Sequence, residues 1–283
     1  MSQSLRNIKL RMKSIENTQK ITRAMEMVSA AKLNRVKNTL FLASPYFLKL
    51  ESMFKDLISA SPSYSHPLLE KRDVRNTVLC LITSDAGLCS VYNYSVIRAA
   101  EEFLKNFDKN KVRLVIIGKE GFNHFRNKGF TVIKSYLDLH GKMSEKSVRE
   151  TLDELVNIFQ RRDADEIYVA YTGFNSTLRY RPVIEKFLGI ECAKRENTDY
   201  IIEPDAKSAL ERMVPKYLFE KMRLIFLNAF TSEHSSRMVA MKTATDNAKE
   251  LIETLTLLRN KVRQSSITKE VLEIASSAEA LKG

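Results

Sequence analysis

Glycine and proline are missing from both ends of this chain. Residues 1–44 contain neither, nor do residues 216–282, and every glycine but the terminal Gly283 lies between Gly87 and Gly189. These two residues most strongly break helices and make turns. Their absence predicts two long helices flanking a globular middle. At about 1.5 Å per residue the C-terminal one would run on the order of 100 Å, several times the width of a small domain. A helix of that length is expected to reach past the core of its own domain rather than fold back onto it. Long apolar runs are missing too: none approaches 18 residues, so no membrane span is expected. The opening MSQSLRNIKL has no apolar signal-peptide core and leaves no room for a transit peptide. Three scattered cysteines, Cys80, Cys89 and Cys192, do not form a disulfide framework; they fit a reducing compartment as small buried apolar residues.

The chain has 283 residues, 44% of them hydrophobic, which suits a soluble globular protein of one or two domains. Its net charge of +12 is unevenly placed. Residues 1–43 carry nine Lys/Arg against Glu16 and Glu26, a balance of +7, whereas residues 205–283 carry only +3. The first helix is therefore the main basic surface, suited to nucleic acid, anionic lipid or an acidic protein collar. Along it Leu5, Ile8, Met12, Ile15, Thr22, Met25 and Val28 recur largely in steps of three and four, with a gap around Thr18 and Gln19. Leu251, Leu255, Leu258 and Val262 do the same near the other end, and after a phase slip the pattern resumes at Ile267, Val271, Ile274, Ala278 and Leu281. These are narrow coiled-coil seams, and pairing the two ends antiparallel is the economical way to cover them.

The middle alternates short apolar β-type runs with helical stretches. Strands are expected at residues 77–83, 112–117, 130–133, 166–171 and near 180–187, with helices at 94–107, around 121–127 and at 145–160. That order implies a parallel or mostly parallel α/β sheet. The organisation expected is an N-terminal coiled-coil helix (1–60), a Rossmann-like α/β domain (61–204) and a C-terminal coiled-coil helix (205–283), with Asp205 as the N-cap of the last helix.

Most catalytic chemistry is absent. Ser84, Asp85, Ala86 and Gly87 follow the first strand where an α/β sheet could bind phosphate or metal, but no G-x-G-x-x-G or G-x-x-x-x-G-K-[ST] accompanies them. His66, His124, His140 and His234 show no metal spacing with one another or with cysteine, and no Ser/His/Asp or Cys/His arrangement is visible. On residues alone function stays open. A nucleic-acid-binding coiled-coil protein would use the basic helix; a nucleotide-using α/β enzyme would centre on Asp85 and Gly87.

Three stretches carry a resemblance that covers essentially the whole chain. Residues 17–33, NTQKITRAMEMVSAAKL, closely resemble the N-terminal signature of the γ subunits of F-type ATP synthases. Residues 232–252 (SEHSSRMVAMKTATDNAKELI) and 260–274 (NKVRQSSITKEVLEI) resemble that family's C-terminal signature, and ITSDAGLC at 82–89 matches in order. The resemblance implies a rotor shaft. Paired terminal helices would turn inside a hexamer of three α and three β subunits, above a Rossmann-like body seated on the c ring beside the ε subunit. Ion-driven rotation would then force the catalytic sites on α/β through different affinities. The chain would be non-catalytic, with no cofactor, no metal and no nucleic-acid partner. It would meet the membrane only through the complex, peripherally, at the cytoplasmic face of the bacterial inner membrane or an organellar inner membrane.

Residue by residue, the resemblance places Met25 and Arg237 near an acidic β lever segment. Arg263, Gln264, Thr268 and Glu270 match a group that hydrogen-bonds a β loop, and Tyr200 and Glu203 match the contact with the c ring. The sequence departs from the family pattern at Ser90, Val91 and Tyr92, where Gly-Gly-Leu is usual, at Lys269, where Gln is common, and at Ile202, where an aromatic is often seen. The chloroplast-type insertion with paired cysteines is missing, so thiol control of that type is not expected.

Overall fold

The computed structural model describes residues 2–59, 66–70, 72–189 and 205–280. In chain order it contains α1 (Ser2–Ser59), β1 (Thr77–Ile82), α2 (Tyr92–Leu104), β2 (Val112–Ile117), α3 (Lys119–Phe125), β3 (Thr131–Tyr136), α4 (Glu145–Gln160), β4 (Glu166–Ser176), β5 (Arg179–Leu188) and α5 (Ala206–Ala280). α1 holds 58 residues and α5 holds 75. Both run through a proline, Pro45 and Pro215. Each proline takes a donor from the carbonyl four residues earlier; both rings are exposed, where water can replace it. Asp205 caps α5 as expected: its Oδ1 accepts from the Ser208 backbone N–H at 2.9 Å and its Oδ2 from the Ser208 hydroxyl at 2.8 Å.

The chain divides into two compact units, one taking residues up to Val28 and from Met238 onward, the other Ser29–Arg237. The second is built on a five-stranded sheet of order β3-β2-β1-β4-β5. The first four strands are parallel and β5 runs antiparallel to β4, so the sheet is mixed. β1 is buried along its whole length and its side chains alternate between two cores. Leu79 and Leu81 face α2 and α3, packing with Val96, Ala100, Leu114 and Phe125. Val78, Cys80 and Ile82 face the other way, onto Leu152, Leu155 and Phe159 of α4.

The long helices complete that second core, which corrects the expectation that they would not fold onto their own domain. Leu210, Val214, Leu218, Met222, Phe226 and Phe230 of α5 join it, as do Phe47 and Phe54 of α1. Tyr217 stacks on both phenylalanines, with ring centroids 5.6 and 4.1 Å apart. The sheet needs a cover on this face, and α4 alone is too narrow to span its five strands.

In the other unit, α1 and α5 cover each other. The hydroxyls of Thr22 and Thr245 lie 2.8 Å apart. Ten residues further out along each helix, Met12 and Leu255 are both buried, as an antiparallel pair requires. On α5 the seam is Met241, Thr245, Ala248, Ile252, Leu255, Arg259, Val262 and Ser266, an unbroken alternation of four and three. The expected seam was partly misplaced. Leu251 and Leu258 are 48% and 44% exposed, and Val28 is 57% exposed. Gln19 and Thr22 bridge the apparent gap on α1, because a polar residue with a partner across the seam can stand in it. The phase slip disappears as well. Ile267, Val271, Leu272 and Ile274 are 53%, 59%, 61% and 70% exposed, since the same register has used up α1 by this level.

Truncating Phe226, fully buried against the sheet, to Ala should cost about 3–5 kcal/mol through lost transfer energy and a cavity. Leu272→Ala, on the exposed stretch, should stay within about 0.5 kcal/mol. Urea denaturation followed by circular dichroism checks both.

Candidate functional site

Open α/β sheets bind ligands at the carboxyl ends of their strands. Here that edge is occupied by the protein's own carboxylate. Asp85 Oδ1 accepts from the backbone N–H groups of Lys119 at 3.1 Å and Asp138 at 3.0 Å, and Oδ2 accepts from His140 at 2.7 Å. These donors follow β2 and β3, so one side chain after β1 ties three loops together. The loop behind it is equally committed. Asn93 accepts from the Ser84 backbone N–H at 3.0 Å and donates to the Ser84 hydroxyl at 2.7 Å and to Cys89 Sγ at 3.2 Å. Gly118 permits the close approach: at φ +96°, a Cβ there would lie 2.3 Å from the Thr83 carbonyl oxygen. The nucleotide-binding reading of Asp85 and Gly87 therefore loses its basis, because the polar groups it needed already serve the fold.

A second cluster lies on α5. Residues 231–237, TSEHSSR, are all buried, an unusual fate for seven consecutive polar and charged side chains. Side chains of this stretch find partners on β4 and on several loops. Ser232 donates to the Thr172 carbonyl at 3.1 Å, Ser235 to the Thr177 carbonyl at 2.8 Å and Ser236 to the Cys89 carbonyl at 2.5 Å. His234 Nε2 donates to the Gly141 carbonyl at 3.0 Å, and a Cβ on Gly141 (φ +64°) would fall 2.6 Å from the imidazole. Arg237 pairs with Glu233 at 2.9 Å and donates to the Ala86 carbonyl at 2.9 Å.

Burial sets the electrostatics of this cluster. It pushes the Glu233 carboxyl up, with the Arg237 charge opposing, and leaves Glu233 Oε2 without a hydrogen-bond partner. Burial likewise lowers His234 to about 4. Neutral His234 then donates through Nε2 and keeps Nδ1 as an acceptor, 3.5 Å from an Arg237 nitrogen.

The positions singled out by resemblance do not share one environment. Arg237, placed near an acidic partner segment, is only 8% exposed and turned inward onto Glu233 and the loop after β1, so its guanidinium already has its counter-charge. Met25 is half-buried. Arg263, Gln264, Thr268 and Glu270 are exposed on the last third of α5. Tyr200, Glu203, Ile202 and Cys192 lie outside the described residues. Sequence reasoning left the Ser90-Val91-Tyr92 departure without a role. Ser90 adopts φ +51°, a conformation that glycine takes more easily, while Tyr92 is fully buried and its hydroxyl donates to the Ala229 carbonyl at 3.1 Å. Tyr92 thus anchors α2 to α5. Among the described residues no group of His, Cys, Asp and Glu could hold a metal ion, and no helix is long and apolar enough to cross a membrane.

A profile of the ATP synthase family matches residues 4–281. Curated relatives named ATP synthase gamma chain are 35% identical over 283 residues in Protochlamydia amoebophila and 38% identical over 280 residues in Moorella thermoacetica, covering 98–99% of this chain and 99% of each relative. The chain belongs to the ATP synthase γ-chain family. Solved structures share the fold of these γ chains. The OSCP/F1/c-ring structure of the mitochondrial ATP synthase of Euglena gracilis matches with a TM-score of 0.66 at 16% identity, over 99% of this chain and 95% of that one. The central stalk and c-ring structure from Tetrahymena thermophila matches at 0.62 and 21% identity, over 79% of this chain and 99% of that one.

Arg237→Ala should cost about 3–5 kcal/mol, because it leaves Glu233 buried and uncompensated; thermal unfolding at neutral pH measures it. His234 predicts a pH effect of defined sign. With its folded value depressed to about 4, its contribution is fully present above about pH 6.5 and is lost as pH falls towards 4, on the order of 3 kcal/mol. Glu233, raised by burial, works in the opposite direction. The comparison must therefore be with His234→Gln, whose urea midpoint should fall less than wild type between pH 6.5 and 4.

Proposed function

We propose that this γ-family chain is the central rotor shaft of an F-type ATP synthase, coupling ion-driven rotation of a c ring to ATP synthesis and hydrolysis on α and β subunits. The observation that carries the reading is the bare end of α5. Past the level where α1 ends, Ile267, Val271, Leu272 and Ile274 stand exposed, with no cover among the described residues. Such an end is costly in water and sensible inside a surrounding protein sleeve. Arg263, Gln264, Thr268 and Glu270, exposed on the same stretch, are the side chains assigned to β contacts. The basic residues of the paired region, Arg6, Lys9, Arg11, Lys13, Lys20 and Arg23, are all exposed and suit acidic β loops alongside Met25.

In this reading nucleotide chemistry belongs to α and β, and the chain supplies differential contact alone. Arg237 acts from within, by holding the loop after β1. Tyr200 and Glu203 are assigned to the c ring, with the ε subunit beside them. The chain is peripheral to the membrane, on the cytoplasmic side in a bacterium, and associates with it through the complex.

Reconstitution with α and β tests the proposal: the chain should change the rate of ATP hydrolysis by the mixture, and an unchanged rate refutes the shaft. Arg263→Ala should lower hydrolysis only modestly, because many contacts share the load. Leu255→Pro should be far worse, since it removes a seam residue and breaks the helix that carries it.

A further inference from the structure

The loop joining β3 to α4 touches both long helices. Its His140 carbonyl accepts from the Lys32 ammonium of α1 at 3.4 Å, and the next carbonyl, that of Gly141, accepts from His234 of α5 at 3.0 Å. Met143 then packs in a cluster with Val36 and Leu40 of α1 and Leu224 and Leu227 of α5. The two accepting peptides are planar and share the Gly141 Cα. Both helices are therefore pinned to one short piece of backbone rather than to two independent supports.

That piece of backbone is held in a conformation it would not keep alone. Asp138, His140 and Gly141 have φ of +65°, +49° and +64°, a region that residues with a Cβ seldom occupy. Asp85 imposes it: its carboxylate accepts from the backbone N–H of Asp138 at 3.0 Å and of His140 at 2.7 Å. Lys119, at the start of α3, adds an ion pair to the Asp138 side chain at 2.6 Å. Both ties come from loops at the carboxyl edge of the sheet, so the sheet fixes the loop and the loop grips the helices.

The grip stands where it matters for a shaft. The chain passes from the sheet-bearing unit to the other between Val28 and Ser29 on α1 and between Arg237 and Met238 on α5. Lys32 and His234 each lie three residues inside those limits. Torque between a body and two helices leaving it is resisted first where they leave.

We propose that Asp85 is a positioning residue for torque transfer: by fixing the loop of residues 137–143 it makes that loop the strap through which the sheet turns α1 and α5 as one body. On the shaft reading above, which this deepens, a slack strap costs little when the shaft turns freely and much when it carries load.

Asp85→Asn is the probe. It is isosteric, and its Oδ1 can still accept from Lys119 and Asp138, but an amide NH2 replaces Oδ2 and meets the His140 N–H, donor against donor. Two rates are compared. One is ATP hydrolysis by α, β and the chain without a c ring, where the joint is unloaded; the other is ATP synthesis per complete synthase in vesicles at a fixed imposed ion gradient. Asp85→Asn should leave hydrolysis within about twofold and lower synthesis roughly fivefold. Lys32→Met removes only the α1 tie at a half-buried position, so it decides the matter should Asp85→Asn fail to assemble. It should lower synthesis roughly threefold, and Lys32→Arg should not. Adding Lys32→Cys and His140→Cys to the Asp85→Asn chain and joining the two thiols with a short bis-maleimide should restore most of the lost synthesis. Synthesis at the wild-type rate in Asp85→Asn, or in Lys32→Met, overturns the proposal. So does a parallel fall in both rates, which would make Asp85 a part of the fold alone, and so does joining the thiols without recovery. If the wild-type chain leaves hydrolysis by α and β unchanged, the shaft reading itself has failed; if it alters hydrolysis and the variants synthesise normally, only the strap has.

Discussion

An apolar stripe on a long helix has to be covered, and what covers it changes along this chain. Over residues 206–237 α5 lies against the sheet, and the last third of α1 does the same. In the other unit each helix is covered by the other, along a seam only two residues wide per heptad. Past Ser266 nothing among the described residues is left to do it. Each change of cover follows from which element stands opposite rather than from a change in helix chemistry.

Burying charge imposes the second constraint. Where α5 is enclosed at residues 231–237, the segments around it present backbone carbonyls, because the helix offers hydroxyls, an imidazole N–H and a guanidinium in a low-dielectric setting. Asp85 holds those loops at their base. The region that would be a phosphate cradle in a nucleotide-binding sheet has become a closed network, and its three backbone donors are satisfied internally. The fold keeps the architecture of a ligand-binding domain and spends its polar groups on gripping a helix.

Much of this was legible in the residues. β2 and α4 fall where the apolar run VRLVII and the pattern from Glu145 to Gln160 place them, and Asp205 caps α5 because an aspartate ahead of a helix has few other uses. β4 proved longer than its apolar core. Its last residues pair with β5 in a hairpin beyond the end of β1, and such pairing leaves no hydrophobic signature. The antiparallel edge was equally silent, since strand direction is set by connection and not by composition. Hydrophobicity misled along the coiled coil. Leu251 and Leu258 read as seam residues although Ile252 and Arg259 occupy it, because an alternative stripe one residue away is just as apolar.

By itself the sequence determined the long helices, the α/β alternation and the family, since these depend on local propensity, spacing and motif order. Only the tertiary structure decided that Arg237 faces inward, that Asp85 is spent on backbone donors, and that one loop meets both long helices. Those facts depend on which side of a helix or loop meets another element. Periodicity can show that a stripe exists, but it carries no information about what stands opposite.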